Sequence, residues 1–372
     1  MIQNRRRTVL FLMVILGALG GCFGNAPPDS NSGAGDSGGD QTDGSDVSDD
    51  DNDGGDGTDG TDDPGNPAPT AGQRYFPDGA IWYQDISEAA LDAESDEVIA
   101  WLDENGGFGL GRMQIDFSIE VLQADADTPH RQFERTDDWY NVECDDEPVP
   151  VPDGGALEGE EGYTCESDGD CHLIVVDRTA NRLYEMWRAN IVDGEFYGGC
   201  LAIWDMSRAY PPQGRGNDCT SADAAGFPIA PLLFTADEVA AGSVDHAIRF
   251  ILPNARIRHR VYVHPATHST SATGGGPSAP PYGARFRLRA DFPLDDLPNE
   301  GARVVARGLQ QYGMFLADAG NVALTAQSDR FTTAKWDGLL GSRDLDTIQI
   351  TDFEMVESGD RIDYTGDCVR EP

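Results

Sequence analysis

Past residue 73 the chain alternates short apolar runs with turn-forming residues. Seven runs read as strands: HLIVVD (172–177), RLYEMW (182–187), LAIWDM (201–206), HAIRFIL (246–252), HRVYVH (259–264), ARFRLRA (284–290) and IQITDFEMV (348–356). Each has the length of a strand, and turn residues separate most of them. ARFRLRA alternates most clearly, with Phe286 and Leu288 on one side and Arg285, Arg287 and Arg289 on the other. Two segments have helical spacing instead. In SDEVIAWLDENGG (95–107), Ser95 is placed to cap, Val98, Trp101 and Leu102 share a face, and Gly106 suits the stop. In NEGARVVARGLQQYG (299–313), Ala302, Val305, Leu309 and Tyr312 line one side. The pattern predicts a mainly β fold. The expected form is an antiparallel β-sandwich or jelly-roll-like domain with a few short peripheral helices; a closed barrel is the other arrangement open to it. Residues 73–372 are expected to make a single folded domain.

The first residues follow another logic. Arg5, Arg6 and Arg7 precede an apolar run from Thr8 to Leu19, shorter than the ~20 residues a membrane-spanning helix needs. Residues 1–21 therefore read as a secretory signal peptide. Leu19-Gly20-Gly21-Cys22 resembles the lipobox of bacterial lipoproteins. That resemblance implies lipid on Cys22 and an exported protein anchored to the outer membrane or cell envelope. From Cys22 to Gly72 the composition collapses into Asp, Gly, Ser, Thr, Asn and Pro, with 13 aspartates and no Lys or Arg. Such a chain buries too little to offset its ordering entropy, so a disordered tether is expected. DDDNDG (49–54) imitates the opening of a calcium loop, but Gly60 stands at the twelfth position, where an EF-hand needs Glu.

With Cys22 assigned to lipid, six cysteines remain: Cys144, Cys165, Cys171, Cys200, Cys219 and Cys368. An even count in an exported chain predicts three disulfides. Cys165 with Cys171, across a short turn, is the first pair expected, and Cys200 with Cys219 the second. Outside leader and tether, 53 acidic residues face 23 basic ones, a formal charge near −30. Nucleic acid is a poor partner for that field.

Several blocks have a recognisable wording: GDCHLIVVDRTANRLYEMW, LAIWDMSR, TSADAAGFPIAPLL, DEV with DHAIRF, HPATH, PPYGARFRLRA and LQQYGMFLAD. In this order they resemble a family of secreted bacterial proteins with the motifs TSADAAGLPI, HAxRF, PAxH and YGMxLADNG. The resemblance runs from about Phe76 to Gly320 and implies one secreted domain. Ala319 stands where that pattern has Asn, and Thr267 where it often has Arg.

Three constellations could carry chemistry. Asp205 ends an apolar run beside Trp204, and Asp223 sits inside TSADAAG. Two carboxyls across a glycosidic bond can protonate the leaving oxygen and activate water, with Trp204, Tyr210 and Phe227 as stacking faces for sugar. The plainer role for Asp223 is to tie a turn that Gly226 ends. His246, His264 and His268 could meet as a metal site or a proton-transfer centre, or serve as hydrogen-bonded structural histidines; HExxH is absent. Tyr312 with Arg249 or His268 could serve a lyase acting on an acidic sugar, with Asp318 ending the next strand. No nucleophile elbow, phosphate loop or dinucleotide fingerprint occurs, so no cofactor is expected. The leading expectation is a lipid-anchored polysaccharide-degrading enzyme, a hydrolase before a lyase, using Asp205 and Asp223. The alternative is a non-catalytic glycan-binding or envelope-assembly lipoprotein. Cys22→Ser is expected to abolish incorporation of labelled fatty acid; equal labelling of the variant would remove the lipoprotein reading.

Overall fold

The run LIVVD has no polar side until Asp177, and its environment explains why. Strand Leu173–Asp177 is buried along its whole length. Ile174 and Val176 face the main core, while Leu173 and Val175 face a second, smaller one. Its sheet has four strands in the order Cys200–Asp205, Arg182–Trp187, Leu173–Asp177, Leu122–Ala124. The first three are antiparallel and the last joins in parallel. Leu183, Ala202 and Trp204 line the main-core face; Tyr184, Met186 and Leu201 line the other. The computed structural model describes residues 74–371 except Asp168. The expected signal peptide, lipid site at Cys22 and disordered tether lie outside the described residues.

The second sheet has six strands, in the order Ile115–Ile119, Leu324–Gln327, Ile248–Leu252, Met314–Ala319, Arg285–Leu288, Phe353–Met355. The fold is thus mainly β with three α-helices among the described residues. Its larger sheet is mixed in direction, not wholly antiparallel: 248–252 runs parallel to 314–319, and 115–119 parallel to 324–327. Alternation along a strand is identical for both directions, so the sequence pattern was blind to this. HRVYVH shortens to strand Val261–Tyr262, and IQITDFEMV to Phe353–Met355 behind a turn of 3₁₀-helix.

One irregularity matters for the site. Between Phe250 and Ile251 the register shifts, so that Ile251 pairs with Asp318 and Ala317 is passed over. Neighbours in a ladder share a face, and Ile251 shares the face of Arg249. The extra residue therefore turns Asp318 toward Arg249; without it, Asp318 would point to the opposite side.

Helices form at Ser95–Glu104 and Glu300–Gln311, as expected. Ser95 does not cap. Glu94 holds the N-cap position, and the Ser95 hydroxyl accepts the N–H of Met355 at 2.9 Å. Gly106, at φ +94°, ends this helix. A third helix, Ala236–Ala241, follows a reciprocal cap between Thr235 and Glu238 and stops at left-handed Gly242. That T-x-x-E signal was legible. Arg285 and Arg287 are buried, their guanidiniums holding the carbonyls of Tyr312, Gln84, Ser87 and Ala89, with Glu354 paired to Arg287 at 2.6 Å.

Cys165 is joined to Cys171. The expected Cys200–Cys219 bridge does not form: Cys200 pairs with Cys144 and Cys219 with Cys368. Nearness in sequence misled here, because Cys200 opens a strand whose spatial neighbour is the 143–145 loop, tied on by Asp145 N–H to the Leu201 carbonyl at 2.8 Å. Peptide mapping without reduction is expected to return these three pairs. Replacing Cys219 and Cys368 by Ala should cost about 2–5 kcal/mol in denaturant unfolding, since the bridge closes a long loop; unchanged stability would deny it a structural role.

Candidate functional site

TSADAAG, 220–226, is anchored at its N-terminal end. Cys219 anchors it to the C-terminal tail, and the Glu143 carboxylate accepts the Thr220 N–H at 2.9 Å. Inside the turn, the Ser221 hydroxyl accepts from Asp223 N–H at 3.0 Å and donates to the Phe227 carbonyl at 2.6 Å. Gly226 has φ +82°, and a Cβ there would collide with the Thr267 hydroxyl and the Cys219 carbonyl. The turn-tying role of Asp223 is real, but slight: one bond from Ala225 N–H at 3.3 Å.

Its main partner is Arg249. The guanidinium Nε donates to Asp223 Oδ1 at 2.8 Å and Nη2 to Asp318 Oδ2 at 2.7 Å, while Nη1 reaches the Thr325 hydroxyl at 3.4 Å. The side chains of Arg249 and Asp223 are 4% and 0% exposed, and that of Asp318 is 19% exposed. Burial pushes the Asp223 carboxyl well up, Arg249 pulls it down, and Asp318 pushes it up again. Asp318 is raised too, chiefly by burial against the pull of Arg249. Two carboxylates thus share one cation, and the pair holds a proton more readily than free aspartates do.

Behind this triad lies a second ion pair that sequence reasoning passed over. His172 is buried, with Nδ1 2.6 Å from Glu158 Oε2 and Nε2 3.0 Å from the Ala222 carbonyl. Both partners are acceptors, so both ring nitrogens donate and the ring is an imidazolium. Burial opposes its charge, but Glu158 outweighs this and lifts the pKa to about 9. Burial likewise opposes the Glu158 charge, and His172 brings that carboxyl down to about 2. The pair steadies the turn through Ala222.

An open cleft of about 340 Å³ lies over these groups. Asp223, Asp318, Asp170, His268, Tyr282 and Trp187 are among its lining residues. It therefore gathers GDCH, TSADAAG, HPATH, PPYG and LAD, blocks spread over some 150 positions. Trp187 donates its indole N–H to exposed Asp170 at 2.8 Å and lies beside Tyr140, rings 6.4 Å apart. His268 is neutral: burial lowers its pKa to about 4, Nδ1 donates to the Ala224 carbonyl at 2.7 Å, and Nε2 accepts from the Tyr364 hydroxyl at 3.0 Å.

Other predicted residues are elsewhere. Asp205 is exposed outside the cleft lining, its carboxylate accepting from the Ser207 N–H at 2.9 Å and from the Ser207 hydroxyl. The Asp205–Asp223 couple is not assembled. Trp204 and Phe227 are buried in the core, and Tyr210 accepts the Asp205 N–H, so none of the three offers a stacking face to the cleft. Trp204 instead donates to buried Glu185 at 3.0 Å, a carboxylate that also accepts Ile229 and Ala230 N–H at 2.8 Å each. The histidines do not converge: His246 pairs with Glu238 at 3.3 Å and His264 with Asn217 at 2.9 Å. Tyr312 closes helix Glu300–Gln311, away from the cleft lining. Among the described residues, Glu160, Cys165 and Cys171 lie close enough to hold an ion, but the two sulfurs are joined to each other.

Asp170, His172 and Tyr282 were missed as site residues because each stood beside a strand or turn that explained it. The His172–Glu158 pair makes a pH prediction. The raised His172 pKa contributes stability that is complete below about pH 6.5 and lost as pH rises through about 9. The lowered Glu158 pKa contributes stability complete above about pH 4.5 and lost toward pH 2. The Tm difference between wild type and His172→Gln is expected to peak between pH 4.5 and 6.5 and to shrink by pH 9. A difference that stays flat from pH 5 to 10 would refute the charged pair.

Comparison with known protein families, with curated proteins and with solved structures finds no match, so fold and site are read from their own geometry.

Proposed function

We propose that the cleft is the active site of an exported, lipid-anchored enzyme that hydrolyses a polysaccharide, with Asp318 as proton donor and Asp170 as the opposing carboxylate. One observation carries this reading: two accessible carboxyls of unlike surroundings line the same cleft. Asp318 is held against Arg249 in a buried setting that raises its pKa, and the charge of Asp170 adds to that effect. Asp170 stands exposed in water, bonded to Trp187. Glycoside cleavage needs such a division, with an acid to protonate the leaving oxygen and a carboxylate to activate water or attack the sugar carbon. Trp187 and Tyr140 supply flat apolar faces for a ring. Asp223, expected as one of the catalytic pair, is here a positioning residue instead, since its buried carboxylate orients Arg249 and through it Asp318.

Elimination from an acidic sugar is less well supported, because Tyr312 is absent from the lining and Arg249 is already occupied. A non-catalytic glycan-binding lipoprotein is the second reading. The surface made by half-buried Trp187 and exposed Tyr140 favours it, because an aromatic platform binds sugar without any acid.

Asp318→Asn and Asp170→Asn are each expected to lower release of reducing ends by about a hundredfold or more with Tm little changed for Asp170→Asn. Asp205→Asn is expected to keep full activity. A fully active Asp318→Asn protein would end the catalytic assignment. A wild type that cleaves no glycan, yet is retarded in glycan-containing gels through Trp187, would establish the binding reading.

A further inference from the structure

The cleft is unevenly charged. Asp170, Asp223 and Asp318 line it, and no lysine or arginine does. Arg249, behind the lining, already gives every guanidinium nitrogen an acceptor within 3.4 Å. His172 is balanced by Glu158, and His268 is uncharged with both ring nitrogens engaged. Even with one proton shared by Asp223 and Asp318 against Arg249, the charge of Asp170 is left in excess, and among the described residues no lysine or arginine lines the cleft to receive a carboxylate or sulfate on a ligand.

A second, independent feature points to a ligand. Tyr282 is wholly buried and lines the cleft, yet its hydroxyl has no hydrogen-bond partner among the described residues. The Thr270 hydroxyl, in the same lining, has none within hydrogen-bonding distance and angle either. Tyr282 shares this lining with Asp318 and Asp223. A buried hydroxyl without a partner is destabilising, and that cost disappears when a polar ligand supplies one.

We propose that the sugar seated beside Asp318 carries a free ammonium group: the ligand class is an amino sugar without its N-acyl substituent. The ammonium has three donors and no acceptor, which suits the charged Asp170 carboxylate together with the carbonyl oxygen of the Asp318 carboxyl and the lone pairs of the Tyr282 hydroxyl. An N-acetylated sugar brings an uncharged amide to the same place, and a uronic acid brings a repelled carboxylate. This inference rests on the reading of the cleft as a glycan site and specifies which glycan it takes.

Titration calorimetry on the full chain in detergent, with glucosamine, N-acetylglucosamine and galacturonate tetramers, tests it. The glucosamine tetramer is expected to bind about tenfold more tightly than the N-acetylated one, and the galacturonate not measurably. Asp318→Asn and Asp170→Asn should each bring that ratio toward one. Asp170 is exposed, so its variant remains informative if Asp318→Asn fails to fold. Asp205→Asn, an exposed carboxylate outside the cleft, should leave the ratio intact and so exclude attraction by overall charge. Tyr282→Phe should weaken glucosamine binding without lowering Tm, since no internal bond is lost. Equal or tighter binding of the N-acetylated tetramer, binding of the galacturonate, or no binding at all would overturn the proposal. Preferred binding of the glucosamine tetramer without cleavage supports it and removes the hydrolytic reading; preferred cleavage of the N-acetylated tetramer does the reverse.

Discussion

The guanidinium of Arg249, shared between Asp223 and Asp318, is the interaction on which the site depends. A charge as fully buried as that of Arg249 is expensive unless it is paired, and breaking such a pair by removing one partner costs about 3–5 kcal/mol. The three residues come from three places: the TSADAAG turn, strand Ile248–Leu252 and the far end of strand Met314–Ala319. None can satisfy its charge until the others arrive. The ion triad therefore ties the turn to the larger sheet and fixes where the cleft opens.

The surrounding structure serves that requirement. The register shift at Phe250 turns Asp318 onto the face of Arg249. The Cys219–Cys368 bridge holds the residue immediately before Thr220, and Cys144–Cys200 anchors the loop whose Glu143 receives the Thr220 N–H. Glu185, on the core face of the smaller sheet, fixes Ile229 and Ala230 just beyond the turn. His172 reaches Ala222 from the same sheet. Both sheets and two bridges thus hold a segment of seven residues with little regular structure of its own.

A preorganised polar cluster of this kind suits either chemistry or selective binding, because its groups are oriented before a ligand arrives. The geometry divides the acids by environment: Asp223 buried and structural, Asp318 half-sheltered, Asp170 in water. That gradation, more than the presence of acids in a strongly acidic chain, distinguishes the cleft from the rest of the surface.

By itself the sequence determined what depends on neighbours along the chain. The short apolar runs LIVVD and LAIWDM made strands, the spacing of 299–313 made a helix, the short span between Cys165 and Cys171 made a bridge, and Gly226 marked a turn that only a residue tolerant of positive φ can close. The pairing of Asp223 was decided elsewhere. Asp205, eighteen positions away, looked the natural companion, while Arg249 and Asp318 come to it from strands 26 and 95 positions away. The disulfide of Cys200 and the burial of Trp204 were settled in the same manner. A side-chain period of two says which residues share a face, but not which strand lies alongside, in which direction, or where a single extra residue shifts the register. Those are consequences of packing two sheets around one core, and the charge triad exists only once that packing has been made.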